Sequence, residues 1–182
     1  AHYTHGRITN VLGLPYKPLA VDDEGRIDLG GLEAELKKGN IGTVVVTIGT
    51  TGLGVVDPLP GILSLRDRYE FRLHADAAYG GYFGLSSLLH PDTRASYEML
   101  RRVDSIVIDP HKHGLQPYGC GCILFRDPAV GVLYKHGSPY TYFSSSELHL
   151  GEISLECSRA GASAVAAYRS LATSPRFKGR IR

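Results

Sequence analysis

An aspartate in His74-Ala-Asp76-Ala-Ala78-Tyr-Gly-Gly81 and a lysine in Asp109-Pro-His111-Lys112 are the residues of this 182-residue chain best suited by type and setting to act together. Each stands at the end of a short apolar run, Phe71-Arg-Leu-His-Ala75 and Ser105-Ile-Val-Ile108. In α/β proteins the carboxyl ends of buried strands are where ligands sit. A salt bridge is the simplest use of such a pair. An aspartate flanked by small residues, against which something flat can lie, and a lysine held by a preceding histidine point instead to a cofactor.

The elements that must position this pair alternate between strand and helix patterns. His5 to Leu12 reads as a short helix stopped at Gly13, and Tyr16 to Val21 as a strand entering the Asp22-Asp-Glu-Gly25 turn. Asp28 can cap a helix running to about Lys38, with Leu29, Leu32 and Leu36 on one face and Gly39-Asn40 at its end. Thr43-Val-Val-Val-Thr-Ile48 is a β-branched run of the kind buried on both faces of a parallel sheet. A helix near Pro60 to Tyr69 returns the chain to the strand ending at Asp76. Another around Thr93 to Arg102 leads to the strand ending at Asp109. Cys120 to Phe125 closes a hairpin-like excursion, and Asp127-Pro128 opens a further helix. The expected fold is α/β, a mostly parallel βαβαβ sheet with flanking helices.

Five ordered segments carry a resemblance. They are Ala1-His2-Tyr3-Thr4, Thr47-Ile-Gly-Thr50-Thr51-Gly, the D-A-A stretch at Asp76, the x-P-H-K stretch at Lys112, and Ser154-Leu-Glu-Cys-Ser-Arg159. Together they resemble the central part of a group II pyridoxal-phosphate-dependent amino acid decarboxylase, the family of aromatic-amino-acid, glutamate and tyrosine or aspartate decarboxylases. D-A-A alone would be weak and H-K alone worthless. The order and spacing of all five give the likeness its weight.

The resemblance implies the large domain of a fold type I pyridoxal-phosphate enzyme and a carboxy-lyase activity, the decarboxylation of an L-amino acid to the amine and carbon dioxide. Lys112 would condense with the cofactor aldehyde to an aldimine. Asp76 would face the ring nitrogen, because only a protonated pyridine lets the ring absorb the charge left on Cα, and an anionic carboxylate sustains that proton. Ala78 and the His2 imidazole would cover the two ring faces, Thr51 would position Asp76 or the ring hydroxyl, and His111 would lie near the phosphate. Asp109 stands where many decarboxylases have asparagine. An ionised carboxylate there would repel a phosphate dianion, so it is expected to accept from a backbone amide or from His111. Tyr140 or Tyr142, in the polar and aromatic stretch 137–146, is the candidate acid that reprotonates Cα after carbon dioxide leaves.

Plainer roles stand beside these. Asp76 can cap a turn, Lys112 can be a solvated loop lysine, His2 a surface histidine, and the Thr50 and Thr51 hydroxyls can satisfy backbone groups. The tyrosines can pack against a neighbouring subunit. Arg159 can bind a carboxylate or pair with Glu152 or Glu156. His111, His113, Cys120 and Cys122 could be taken for a zinc site, but H-x-H followed by C-x-C is not a usual structural spacing. In a strand, Cys120 and Cys122 fall on one face as small apolar residues.

Composition fits a globular α/β domain at 43% hydrophobic and 21% charged. Three cysteines without a framework spacing suggest reduced thiols and a cytoplasmic setting. No run approaches a membrane span, the start lacks a signal-peptide pattern, and no nucleic-acid partner is expected. The net charge of +2 belongs to residues 169–182. That stretch holds Arg169, Arg176, Lys178, Arg180 and Arg182 and no acid, which leaves 15 basic against 18 acidic residues elsewhere, or −3. The expected organisation is therefore a partial cofactor-binding domain over 1–168 and a basic tail over 169–182. The resemblance further implies a homodimer in the full-length form. The expected alternatives are a catalytically incompetent fragment incomplete at both ends, or a related pyridoxal-phosphate carbon–carbon lyase.

Overall fold

The computed structural model describes residues 1–136, 149–153 and 160–173. Its centre is a four-stranded sheet in the order β1-β2-β3-β4, formed by β1 (Thr43–Thr47), β2 (Arg72–Asp76), β3 (Ser105–Ile108) and β4 (Cys122–Phe125). β1, β2 and β3 are parallel, with Thr47 beside Asp76 and Asp76 beside Val107, and β4 runs antiparallel to β3. The mostly parallel α/β sheet expected from the sequence is thus present, with Cys122–Phe125 as its reversed edge and Cys120 outside the strand. The two units of the chain, Ala1–Arg126 and Asp127–Arg182, are each compact.

In the first unit, α1 (Thr4–Val11) ends before Gly13, whose φ of 66° is one that residues with a side chain rarely adopt. α2 (Leu29–Leu36) begins at Asp28, whose carboxylate accepts from the amides of Gly30 and Gly31. α3 (Leu59–Leu65) and α4 (Pro91–Glu98) complete the helices, and a 3-10 turn at Met99–Arg102 leads from α4 to β3. α3 touches both α2 and α4. Its Leu59, Ile62, Leu63 and Leu65 join Leu32, Leu36, Val44, Val46, Ile48, Leu73 and Ala75 in one core. Fully burying each aliphatic side chain contributes roughly 1.5–3 kcal/mol before chain entropy is set against it, so this core carries the fold.

Two polar tethers, one buried and one half-buried, lock the strands. The Asp57 carboxylate accepts the Thr47 amide at 2.7 Å and the Ile27 amide at 2.8 Å, and burial pushes its carboxyl up. Asp104 accepts the Leu73 amide at 2.8 Å and pairs with Arg66 at 3.1 Å and Arg126 at 2.6 Å. Burial raises its carboxyl, but those partners outweigh it and hold the group below the ordinary range.

Residues 16–21 are not the expected strand. Only Val21 bridges, to Ile27 across the Asp22 turn, since Pro15 and Pro18 remove two amide donors that a ladder would need. The helix opened by Asp127-Pro128 is a 3-10 helix, Pro128–Tyr134. The second unit also contains α5 (Leu150–Ile153) and α6 (Ala162–Thr173), and α6 runs through the position where the basic tail was expected to start. Within it, buried Glu152 lies 3.9 Å from Lys135 Nζ. Arg159 and Glu156 lie outside the described residues, as do Tyr140 and Tyr142.

Candidate functional site

Asp76 closes β2 and Lys112 lies four residues beyond the end of β3, so both emerge at the carboxyl edge of adjacent parallel strands. The edge is fastened by backbone bonds. Ile48 N donates to Asp76 O, Ala77 N to Val107 O, and Asp109 N to Ala78 O. Just beyond, Gly80 crosses the exit of β1 so closely that a Cβ there would overlap the Ile48 carbonyl oxygen and lie 2.7 Å from Gly49 Cα. Gly49 itself has a φ of 88°. Tyr97 Oη donates to Gly80 O at 2.6 Å, and burial pushes its phenol up to about 12, so the donor stays protonated. Part of the small-residue tail after Asp76 therefore admits another backbone, and Ala77 belongs to the core. Ala78 stays half-buried at the edge.

Asp76 is buried, at 8% exposure. One oxygen, Oδ1, accepts the Ala78 amide at 3.2 Å, and Oδ2 lies 2.8 Å from His5 Nε2 on α1. Burial pushes the carboxyl up. The hydrogen bonds from His5 and Ala78, with the charges of His5 and His74, outweigh it and hold Asp76 below the ordinary carboxylate range. An ionised carboxylate only accepts, so His5 Nε2 carries the proton. His74, on the same strand, turns its Nδ1 to Ser105 Oγ at 2.8 Å, and burial followed by the charge of His5 pushes its imidazole down.

The lysine turn is local. Lys112 N donates to Asp109 O, and Lys112 Nζ lies 2.8 Å from Asp109 Oδ2. His111 Nδ1 donates to Cys120 O at 2.6 Å, since a carbonyl cannot donate, and its Nε2 sits 3.9 Å from Asp109. Asp109 thus has Lys112 as its near partner, with His111 beyond hydrogen-bond reach. His113 packs between the Tyr79 and Phe83 rings, its Nε2 buried without a partner among the described residues. Among those residues no group of three or more His, Cys, Asp or Glu side chains could hold a metal. Cys120 is buried, and burial, followed by the charges of Cys120 and Asp109, pushes the Cys122 thiol up, which leaves it the inert apolar role expected of it.

For two further candidates the contacts seen are local. His2 is exposed, with its ring against Tyr3 and its Nδ1 accepting from Thr4. Thr51 is exposed in the turn whose neighbouring hydroxyl, Thr50 Oγ, accepts the Val55 amide.

Residues 1–171 match the pyridoxal-dependent decarboxylase conserved domain. The chain belongs to the pyridoxal-dependent decarboxylase family. A probable L-tyrosine/L-aspartate decarboxylase of Methanosarcina barkeri is 35% identical over 169 residues, which is 92% of this chain and 40% of that protein. The crystal structure of mouse CSAD superposes with a TM-score of 0.80 at 25% identity, over 99% of this chain and 39% of the other. The sphingosine-1-phosphate lyase of Burkholderia pseudomallei shares the fold, with a TM-score of 0.77 at 23% identity over 98% of this chain and 41% of that one. The chain therefore spans about 40% of the length of the relatives it matches.

Members of this family use pyridoxal 5'-phosphate, and the donor set here fits that cofactor at two points. Asp76 is an ionised carboxylate with two of its roughly four acceptor positions taken, leaving capacity for a protonated ring nitrogen. Lys112 is an amine on the neighbouring strand end. His5 is the residue that sequence reading missed at this edge. It joins Asp76 across 71 residues, and its only signal was a histidine in the first turn of a helix.

Proposed function

We propose that this chain is the central part of a pyridoxal-phosphate-dependent decarboxylase that converts an L-amino acid to its amine and carbon dioxide at the carboxyl edge of β1, β2 and β3. The observation that carries the reading is the buried, ionised Asp76 on β2 beside the strand whose exit turn presents Lys112. Pyridoxal phosphate, when bound, supplies an aldehyde that captures amines and a ring that withdraws the electron pair left when carbon dioxide departs. Lys112 supplies the amine that holds it covalently, and Asp109 orients that amine from 2.8 Å. Asp76 holds a proton on the ring nitrogen by remaining ionised itself. Ala78 and His2 cover the ring faces, Thr51 and His111 contact the cofactor's polar groups, and Tyr140 or Tyr142 returns a proton to Cα.

The relative from Methanosarcina barkeri makes tyrosine and aspartate the first substrates to assay. Decarboxylation is favoured over carbon–carbon lysis because the decarboxylase likeness reaches 35% identity, while likeness to the lyase at 23% speaks for fold alone. The full-length protein works as a cytoplasmic homodimer in this reading. No described helix is long and apolar enough to cross a membrane.

The test is borohydride reduction of the chain mixed with pyridoxal phosphate, followed by peptide mass analysis, and release of carbon dioxide from each amino acid by the full-length protein. The expected result is a cofactor mass on Lys112 that disappears in Lys112→Ala without loss of fold. An adduct that persists at the same stoichiometry in Lys112→Ala, or release of an aldehyde in place of carbon dioxide, refutes the assignment.

A further inference from the structure

The contact that the family assignment leaves unused is His5 with Asp76. A carboxylate at 8% exposure, next to the core residues Ala75 and Ala77, is costly to keep charged, and burial by itself drives it toward the neutral acid. Something must offset that cost. Among the described residues no lysine or arginine pairs with Asp76, and the titratable groups that face it are His5 from α1 and His74 from its own strand. His74 spends its Nδ1 on Ser105 of β3 and is pushed toward the neutral form. His5 alone places a ring N–H on the carboxylate, at 2.8 Å, with its own side chain only 21% exposed.

Placement also favours a role beyond holding the helix. α1 buries no residue in the core, so His5 is not there to fill space. Its bond occupies Oδ2 while the Ala78 amide occupies part of Oδ1, which fixes the plane of the carboxylate from two sides. A carboxylate held in this way turns its remaining acceptor positions in one direction.

We propose that His5 is a positioning residue for the cofactor, acting through Asp76. Its Nε2–H fixes and ionises the carboxylate, so that the pair, and not Asp76 alone, keeps the ring nitrogen of pyridoxal phosphate protonated. This rests on the cofactor reading above and names a residue outside the family motifs quoted for this sequence.

The test has a half that needs no cofactor. Long-range nitrogen–proton NMR of the His5 ring in the unmutated chain should show Nε2 protonated, and an Nδ1–H tautomer overturns the proposal without any mutation. Carboxyl-carbon NMR titration of Asp76, assigned with Asp76→Asn, should give a midpoint below the ordinary aspartate range in the unmutated chain. His5→Gln, whose amide nitrogen can stand in for Nε2, should keep it low, and His5→Phe should move it upward. An unmoved midpoint in a folded His5→Phe chain overturns the proposal.

With nitrogen-15-labelled pyridoxal phosphate bound, the ring nitrogen should read as protonated in the unmutated chain and His5→Gln. In His5→Phe it should shift toward the unprotonated form, with cofactor Kd about tenfold weaker, the loss of one charge-assisted hydrogen bond. Absence of any Lys112 adduct in the unmutated chain would sink the cofactor reading itself. An adduct whose ring nitrogen ignores His5→Phe would overturn this proposal and leave that reading standing.

Discussion

Replacing Gly80 with alanine tests how the sheet edge is built. The backbone at Gly80 has φ −84° and ψ −11°, which alanine adopts without strain, and alanine would even gain about 0.4–1 kcal/mol by restricting the unfolded chain. The obstacle is steric. The new methyl would overlap the Ile48 carbonyl and approach Gly49 Cα to 2.7 Å, and because both obstacles are backbone, no rotamer change relieves the clash. Ile48 is fully buried, and Gly49 N is bonded to Val55 O, so β1 is not free to retreat. If Gly80 retreats instead, its carbonyl leaves Tyr97 Oη, now at 2.6 Å. Overpacking costs roughly 1–3 kcal/mol and the lost hydrogen bond about 1 more, so a net destabilisation of about 2–3 kcal/mol is expected. For a chain of this size that lowers Tm by roughly 5–10 °C. Gly52→Ala is the control, since nothing lies within 4 Å of its Cβ position. Thermal and urea denaturation of both variants beside the unmutated chain would measure the difference. A Gly80→Ala midpoint within about 1 °C of the Gly52→Ala value would refute the crossing as described.

Three other outcomes are expected. Asp104, held below the ordinary carboxylate range, contributes stability that is present above about pH 4 and lost as pH falls through its folded value, so Asp104→Asn should flatten the acid limb of stability against pH in urea titrations. Asp28→Ala, which removes the acceptor for the Gly30 and Gly31 amides, should cost about 1 kcal/mol in urea denaturation, and an unchanged midpoint would deny the cap. Asp76→Asn in the full-length protein should still form the borohydride-fixed adduct on Lys112 while carbon dioxide release falls by about a thousandfold, and near-normal release would remove Asp76 from its role.

The strand-end placement of Asp76 and Lys112 was legible because Asp76 closes one largely apolar run and Lys112 follows shortly after another, even though Arg72 and His74 interrupt the first. The Asp28 cap was legible for a similarly local reason, the carboxylate lying two and three residues from the amides it accepts. His5 was not, because its meaning depends on a partner 71 residues away. The small residues flanking Asp76 were read as leaving room for something flat, whereas at Gly80 the room is taken by the exit of β1, a contact that no periodicity announces. The strand expected over residues 16–21 failed on hydrogen bonding, not on hydrophobicity. For Asp109, the expected partners were an amide or His111. The turn that brings Lys112 round three residues later supplies an ammonium instead.

α1 is only lightly attached to the first unit. With no residue in the core, it is located by the His5–Asp76 bond and by the close passage of Gly6 against the Tyr16 ring. Stability is therefore unevenly shared along the chain. In a hydrogen-exchange experiment, the amides of β1 and β2, under Leu73 and Val46, should open only with global unfolding, while those of α1 should exchange through a cheap local detachment. A cofactor that recruits Asp76 would then slow exchange in α1, whose His5 is 71 residues away in sequence, and turn a fraying helix into a reporter of occupancy.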